Sequence, residues 1–197
     1  MCHSARSVVV LGGPNGAGKS TSAPRLLGGS LRVGPFVNAD TIAQGLSAFR
    51  PEDVALDAGR IMLRRLDELE DQRKGFAFET TLASRALASR FTRLKAGGYR
   101  VHIVFLWLPT AELAIARVVG RVRAGGHDVP SDTVRRRLAR GLRNFFTVCR
   151  PIADTWRFYD GSSIRGPRLI ASGGIRTETT VRDREAWRVA SEEYCDE

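Results

Sequence analysis

The chain has 197 residues, 43% hydrophobic and 26% charged, the composition of a globular protein long enough to bury a core in one domain. It has no run of 18 apolar residues, which excludes a membrane-spanning helix, and its N-terminus lacks a signal-peptide pattern, so a cytoplasmic location is expected. The net charge of +10 raises nucleic acid as a partner. Against it, 28 of the 31 basic residues are arginine, a skew that coding bias also produces, and no recognised binding module accompanies the charge. Cys2, Cys149 and Cys195 form neither a metal-binding spacing nor an even disulfide set and read as free thiols.

An apolar run at 7–12 reads as a buried strand. It feeds Gly13-Pro14-Asn15-Gly16-Ala17-Gly18-Lys19-Ser20-Thr21, in which Gly13-x4-Gly18-Lys19-Ser20 has the spacing of a phosphate-binding P-loop. A strand before and a helix after, here from Ser20 to about Leu27, is the context that motif requires. The glycines let backbone N–H groups turn inward around phosphates, Lys19 reaches the β- and γ-phosphates, and Ser20 offers a hydroxyl to Mg²⁺. The loop predicts a nucleoside triphosphate with Mg²⁺, and leaves open what is done with it.

Beyond the loop, strand-like and helix-like segments alternate, which predicts a mostly parallel sheet. Residues 35–38 form a short second strand running up to Asp40. A helix begins at Pro51-Glu52-Asp53, where proline and acids suit a first turn, and carries Ala55, Ala58, Met62, Leu66 and Leu69 on one face as far as Lys74-Gly75. Residues 76–78 are a third strand, ending at Glu79-Thr80-Thr81. Ser84 caps the next helix, which Gly97-Gly98 closes. The apolar run 101–108 reads as a central parallel strand. Pro109-Thr110 starts a helix to about Val122, residues 125–130 form a glycine-hinged loop, and Ser131 caps a long helix to about Cys149. Two short strands near 156–159 and 168–171 precede a turn at Gly173-Gly174 and a C-terminal helix from about Thr180.

The second and third strands each end in an acid. In an open parallel sheet the carboxyl ends of the strands share one crevice, so Lys19, Asp40 and Glu79 should meet there although they are far apart in sequence. A carboxylate in that place can accept the proton of an attacking hydroxyl or hold Mg²⁺. Asp40 can alternatively cap the helix that follows it, whereas Glu79 is a poor cap and costly to bury without a task. Arg121 and Arg123 precede the Gly125-Gly126 hinge. On the helix after it, Arg136, Arg140 and Arg143 oppose Val134, Leu138, Leu142 and Phe145. A hinged, arginine-flanked segment over about 121–133 suits a lid that closes on a triphosphate, with Arg121 reaching the transferring phosphate. Arg135, Arg137 and Arg143 read as solvated. His127 has no cysteine or histidine partner at ligand spacing and reads as a phosphate contact or lid-packing residue. Ser172-Gly173-Gly174 has the wording of an ATPase clamp, but no apolar strand ending in paired acids follows it.

With these residues the chain resembles the zeta-toxin-like family of P-loop kinases, from about Val8 to Gly173. The shared phrases are the P-loop, Val37-Asn38-Ala39-Asp40, Phe78-Glu79-Thr80-Thr81-Leu82, Arg121-Val122-x-x-Gly125-Gly126-His127-x-Val129-Pro130 and Trp156-x-x-Tyr159-Asp160. The resemblance implies ATP- and Mg²⁺-dependent phosphorylation of a small-molecule hydroxyl, with a UDP-N-acetylated amino sugar as the substrate of the best-known members. It assigns Asp40 as the base, Lys19 as the P-loop lysine, Glu79 and Thr81 as substrate contacts, and Arg121 as the first of two lid arginines. Where a second is expected the chain has His127, which leaves that charge to Arg136 or Arg140. A protein antitoxin is the partner the family suggests.

These readings predict a three-layer α/β/α P-loop NTPase fold, flavodoxin-like or adenylate-kinase-like, with a mainly parallel sheet of about five strands and a small lid. The expected activity is transfer from ATP to an alcohol group of a small anionic substrate. Kinases of another metabolite or an antibiotic, and a nucleic-acid-associated ATPase, are the alternatives.

Overall fold

The computed structural model describes residues 6–28, 34–192 and 194; Cys2 and Cys195 lie outside the described residues. The first strand, β1 (Ser7–Gly12), lies in parallel between β3 (Phe76–Thr80) and β4 (Arg100–Trp107). The short β2 (Phe36–Val37) adds to β3, and β5 (Thr155–Asp160) adds to β4, again in parallel. Two antiparallel strands, β6 (Arg168–Gly174) and β7 (Thr177–Val181), complete a seven-stranded sheet in the order β2-β3-β1-β4-β5-β6-β7. The helices are α1 (Lys19–Leu27), α2 (Ala39–Leu46), α3 (Ala55–Asp71), α4 (Ala86–Ala96), α5 (Ala111–Arg123), α6 (Ser131–Asn144), α7 (Arg150–Ile152) and α8 (Arg184–Ser191).

Alternation along the strands explains the three layers. Val8 and Val10 of β1 face a core shared with Met62 and Leu66 of α3, Phe91 of α4 and an aromatic group around Phe145 and Phe158. Val9 and Leu11 face the opposite core, with Ala23 of α1, Ala114 and Val118 of α5 and Val134 of α6. A strand covered on both faces reads as a continuous apolar run, as 7–12 and 101–108 do.

Five expectations are corrected. The parallel strands run β2-β3-β1-β4-β5, so β3 lies between β2 and β1; this excludes the flavodoxin-like order, in which the first strand adjoins the second. The sheet has seven strands because the polar segment Thr177–Val181, expected to lead into a helix from Thr180, is an edge strand. The last helix starts only at Arg184, where Asp183 Oδ1 accepts from Ala186 N at 3.0 Å. Gly173 and Gly174 are not a turn. A Cβ at Gly173 would stand 2.8 Å from the Trp156 ring, and one at Gly174 would stand 2.1 Å from the Asp154 carbonyl oxygen, so close packing on β5 requires glycine. The helix from Ser131 ends at Asn144 and continues as a π-turn over Phe145–Cys149, with Pro130 rather than Ser131 at its N-terminal boundary.

Candidate active site

The P-loop joins β1 to α1. Gly13, Gly16 and Gly18 have φ of 140°, 80° and 77°, which side-chain-bearing residues rarely adopt. At Gly13 a Cβ would also stand 2.3 Å from the carbonyl oxygen of Leu106 in β4. Gly18 leaves the start of α1 without a side-chain cap, so the first helical amides are free for an anion. Lys19, 6% exposed, donates to Pro14 O at 2.9 Å and lies 3.6 Å from Glu79 Oε1. Burial pushes the Lys19 ammonium below the ordinary lysine value. Glu79 and Asp40 oppose that shift, and the Arg121 charge adds to it. Thr21 is exposed in the first turn.

At the end of β3, Glu79 Oε2 accepts from Ser20 Oγ at 2.8 Å and from Asn38 Nδ2 at 2.9 Å. The hydroxyl that a P-loop offers to Mg²⁺ is thus tied to a carboxylate. That pairing of hard oxygen donors suits the ion, and Ser20 with Glu79 would hold it. Asn38 also settles the ambiguity over Asp40. Its side chain accepts from Asp40 N at 2.8 Å and is the N-cap of α2, so the Asp40 carboxylate is not used as a cap and stands 44% exposed in the first turn. Asparagine caps as well as aspartate does, so a helix opening at Ala39 is the signal that points to Asn38.

The segment expected to form a lid runs from Arg121, near the end of α5, to α6. Gly125 has φ of 84°, and at Gly126 a Cβ would press 2.5 Å from Arg121 Cγ. Arg121 Nη2 donates to His127 O at 3.1 Å and lies 3.3 Å from His127 Nε2, which is 3.7 Å from Asp40 Oδ2. His127 therefore bridges Arg121 and Asp40, and the described residues contain no metal-holding group of three or more His, Cys, Asp or Glu.

A cavity of about 540 Å³ opens beside this group, lined by Lys19, Asp40, Glu79, Thr81, Arg137 and the apolar Met62, Leu66, Phe78 and Leu87, among others. Arg136 and Arg140, expected to contact substrate, are exposed and do not line it; Arg137, expected to be solvated, does. The reason is helix phase. Gly141 packs so closely that a Cβ would stand 2.3 Å from Thr81 O, and Asn144 Nδ2 donates to Leu82 O at 2.7 Å. That seam turns Arg137 inward, where its Nη1 donates to Asn15 Oδ1 of the P-loop at 3.2 Å. On the other side of the loop, Arg117 of α5 donates to the carbonyls of Gly16 at 3.3 Å and Gly161 at 2.6 Å, and also to Ser162 O.

A P-loop between the first strand and a helix, with parallel neighbours whose carboxyl ends carry the acids, defines a P-loop protein of the kinase-like fold. A family model described as an AAA domain (AAA_33) matches residues 8–147, and the chain belongs to that family. The chain is 30% identical over 125 residues to an uncharacterised protein of Haemophilus influenzae, covering 64% of this chain and 87% of that protein. The crystal structure of AvrRxo1-ORF1:AvrRxo1-ORF2 with ATP contains a similar chain, with a TM-score of 0.73 at 17% identity over 96% of this chain. This chain spans 63% of that one. A structure of the PezAT chromosomal toxin-antitoxin system of Streptococcus pneumoniae gives a TM-score of 0.67 at 16% identity, over 100% of this chain and 81% of that chain. At such identities the likeness is one of fold. No helix among the described residues is long and apolar enough to cross a membrane.

Proposed function

We propose that the chain is an ATP- and Mg²⁺-dependent kinase that phosphorylates a hydroxyl of a small molecule. The observation that carries this reading is the junction of a P-loop lysine, an uncapped carboxylate and an inward arginine at one cavity: Lys19, Asp40 and Arg137 all line it. Asp40 takes the proton of the acceptor hydroxyl. Lys19 exchanges Pro14 O and Glu79 for phosphate oxygens, and Arg121 and Arg137 stabilise the charge that develops on the transferring group. Ser20 and Glu79 would hold Mg²⁺, which when bound would supply neutralisation of phosphate charge.

The resemblance puts a UDP-N-acetylated amino sugar first among acceptors. A kinase for another metabolite is a second reading, favoured by the compensation of Arg90 and Arg93 on the cavity wall by Asp67 and Glu70. A protein partner of the antitoxin kind belongs to the proposal because the AvrRxo1 and PezAT structures are of two-component systems. So does a cytoplasmic location, where ATP is abundant. The test is transfer of label from γ-labelled ATP to a panel of hydroxyl compounds that includes UDP-N-acetylglucosamine. Asp40→Asn should lower turnover on the accepted compound by about 10²–10⁴ while nucleotide binding holds. Near-normal turnover in that variant removes Asp40 as the base.

A further inference from the structure

The far wall of the acceptor cavity carries two arginines, Arg90 and Arg93 of α4. In a strongly basic protein they would look like a clamp for a phosphorylated ligand. Their partners say otherwise. Arg90, with its side chain 9% exposed, donates to Asp67 Oδ1 at 2.9 Å and makes a second, shorter contact with Glu70 Oε1. Arg93 is 3.0 Å from Asp67 Oδ1 and 3.0 Å from Glu70 Oε2. Each guanidinium thus spans the same two carboxylates of α3, and the four charges cancel. At the near end the remaining lining charges also cancel, Lys19 and Arg137 against Asp40 and Glu79. Those cations already have tasks, Lys19 at the phosphate loop and Arg137 on Asn15. Between the two ends the wall is apolar, with Met62, Leu66, Phe78 and Leu87, and carries the hydroxyls of Thr81, Ser84 and Ser89.

We infer that the part of the acceptor filling this cavity is uncharged: a hydroxyl-bearing body with an apolar face, such as a neutral sugar or glycoside, with no phosphate or carboxylate. A diphosphate there would meet two arginines whose charge Asp67 and Glu70 already offset, the latter with a side chain only 13% exposed, and would bring its own negative charge to a neutral wall. Burying an anion without a free cation is costly, and an uncharged ring asks nothing of the two arginines. This inference rests on the kinase reading for the word acceptor, but its charge argument concerns the cavity alone. It disfavours a sugar nucleotide whose diphosphate enters the cavity.

The test is therefore binding, not turnover. With the P-loop filled by Mg²⁺ and a non-hydrolysable ATP analogue, UDP is titrated calorimetrically into the wild type and into Asp67→Asn. Asp67 is 52% exposed, so the variant should fold, which its melting curve checks. Losing the carboxylate shared by both arginines leaves them under-compensated, and UDP should bind Asp67→Asn at least about tenfold more tightly than wild type. The gain should vanish when Arg93→Ala is added. Wild type that already binds UDP as tightly as Asp67→Asn does overturns the inference, and so does an Asp67→Asn that gains nothing. Phosphotransfer can fail in every assay without touching this result, and a failure here leaves transfer to be judged on its own.

Discussion

Asn38 offers a prediction in which two substitutions separate two tasks of one side chain. Its Oδ1 caps α2, and its Nδ2 donates to Glu79 Oε2 at 2.9 Å and to Ser20 Oγ at 3.3 Å, in a site where Asn38 is 8% exposed. Asn38→Ala removes the cap, about 0.5–2 kcal/mol, and a hydrogen bond to a carboxylate, about 1.5–3 kcal/mol. Asn38→Asp keeps the cap but sets a second carboxylate against Glu79. Two unit charges about 4 Å apart repel by about 4 kcal/mol at an effective dielectric of about 20. The pair relieves this by holding a proton, so one carboxyl titrates above its unfolded value. A group with a raised folded value contributes stability below the unfolded value and loses it as pH rises through the folded one. The deficit of Asn38→Asp relative to wild type should therefore be small near pH 4 and should approach about 4 kcal/mol near pH 7, while that of Asn38→Ala, part of which is the pH-independent cap, varies less. Urea unfolding across that range, read as differences from wild type, measures both. A deficit in Asn38→Asp that does not shrink on acidification refutes the assignment of Nδ2 to Glu79.

Gly141→Ala should cost about 1–3 kcal/mol in urea unfolding, because the added methyl meets Thr81 O with no room to relax, and it should lower acceptor affinity by moving the loop that carries Thr81. Gly120→Ala, with nothing within 4 Å of the new methyl on an exposed face of α5, should instead stabilise by up to about 1 kcal/mol. Cys149 is buried, and burial pushes its thiol up to about 12, so the thiolate is scarce at neutral pH. Iodoacetamide at pH 7.5 (about one pH unit below an ordinary thiol) should label Cys149 only after unfolding, as read by peptide mass. Labelling in the folded protein would contradict its packing.

The parts of the site that could be read from the sequence are those set by local chemistry or by a general rule of topology. The P-loop fixes its own conformation through glycines at positive φ, and the acids at strand ends are gathered by the parallel sheet whatever the intervening sequence. The rest depended on helix phase. In Arg135-Arg136-Arg137 every position is arginine, so composition cannot say which one turns inward. The apolar stripe suggested Val134, Leu138 and Leu142, but the seam that decides the phase is Val134, Gly141 and Asn144, a small and a polar residue invisible to a hydrophobic pattern. β7 was missed for a related reason. An exposed edge strand with Thr177, Glu178, Thr179 and Thr180 pointing toward water on both faces shows no alternation to detect. Asp40 could be freed for chemistry only once the strand was known to end at Val37, which hands the cap to Asn38.

The net charge is a poor guide to the charge of the cavity for a physical reason that the arginines themselves supply. A guanidinium carries five donors in a rigid fork, so one arginine can join several acceptors that a lysine could not. Arg117 does this with three carbonyls, joining the P-loop to the segment after β5 at 161–162, and Arg168 does it with Asp160 and Asp183, joining β5 to the cap of α8. Arg90 and Arg93 do it between α4 and α3. In each case the fold fixes where the guanidinium sits: carboxylates offset Arg90, Arg93 and Arg168 locally, and carbonyl oxygens hold Arg117. A count of +10 over the chain therefore says little about the cavity, where the lining charges and the two carboxylates behind them sum to zero. Arg137 differs from these: among the described residues its hydrogen bond goes to the neutral amide of Asn15 and its acidic neighbour is Asp40, so on the kinase reading its charge is left for the phosphate that would arrive at that end of the cavity.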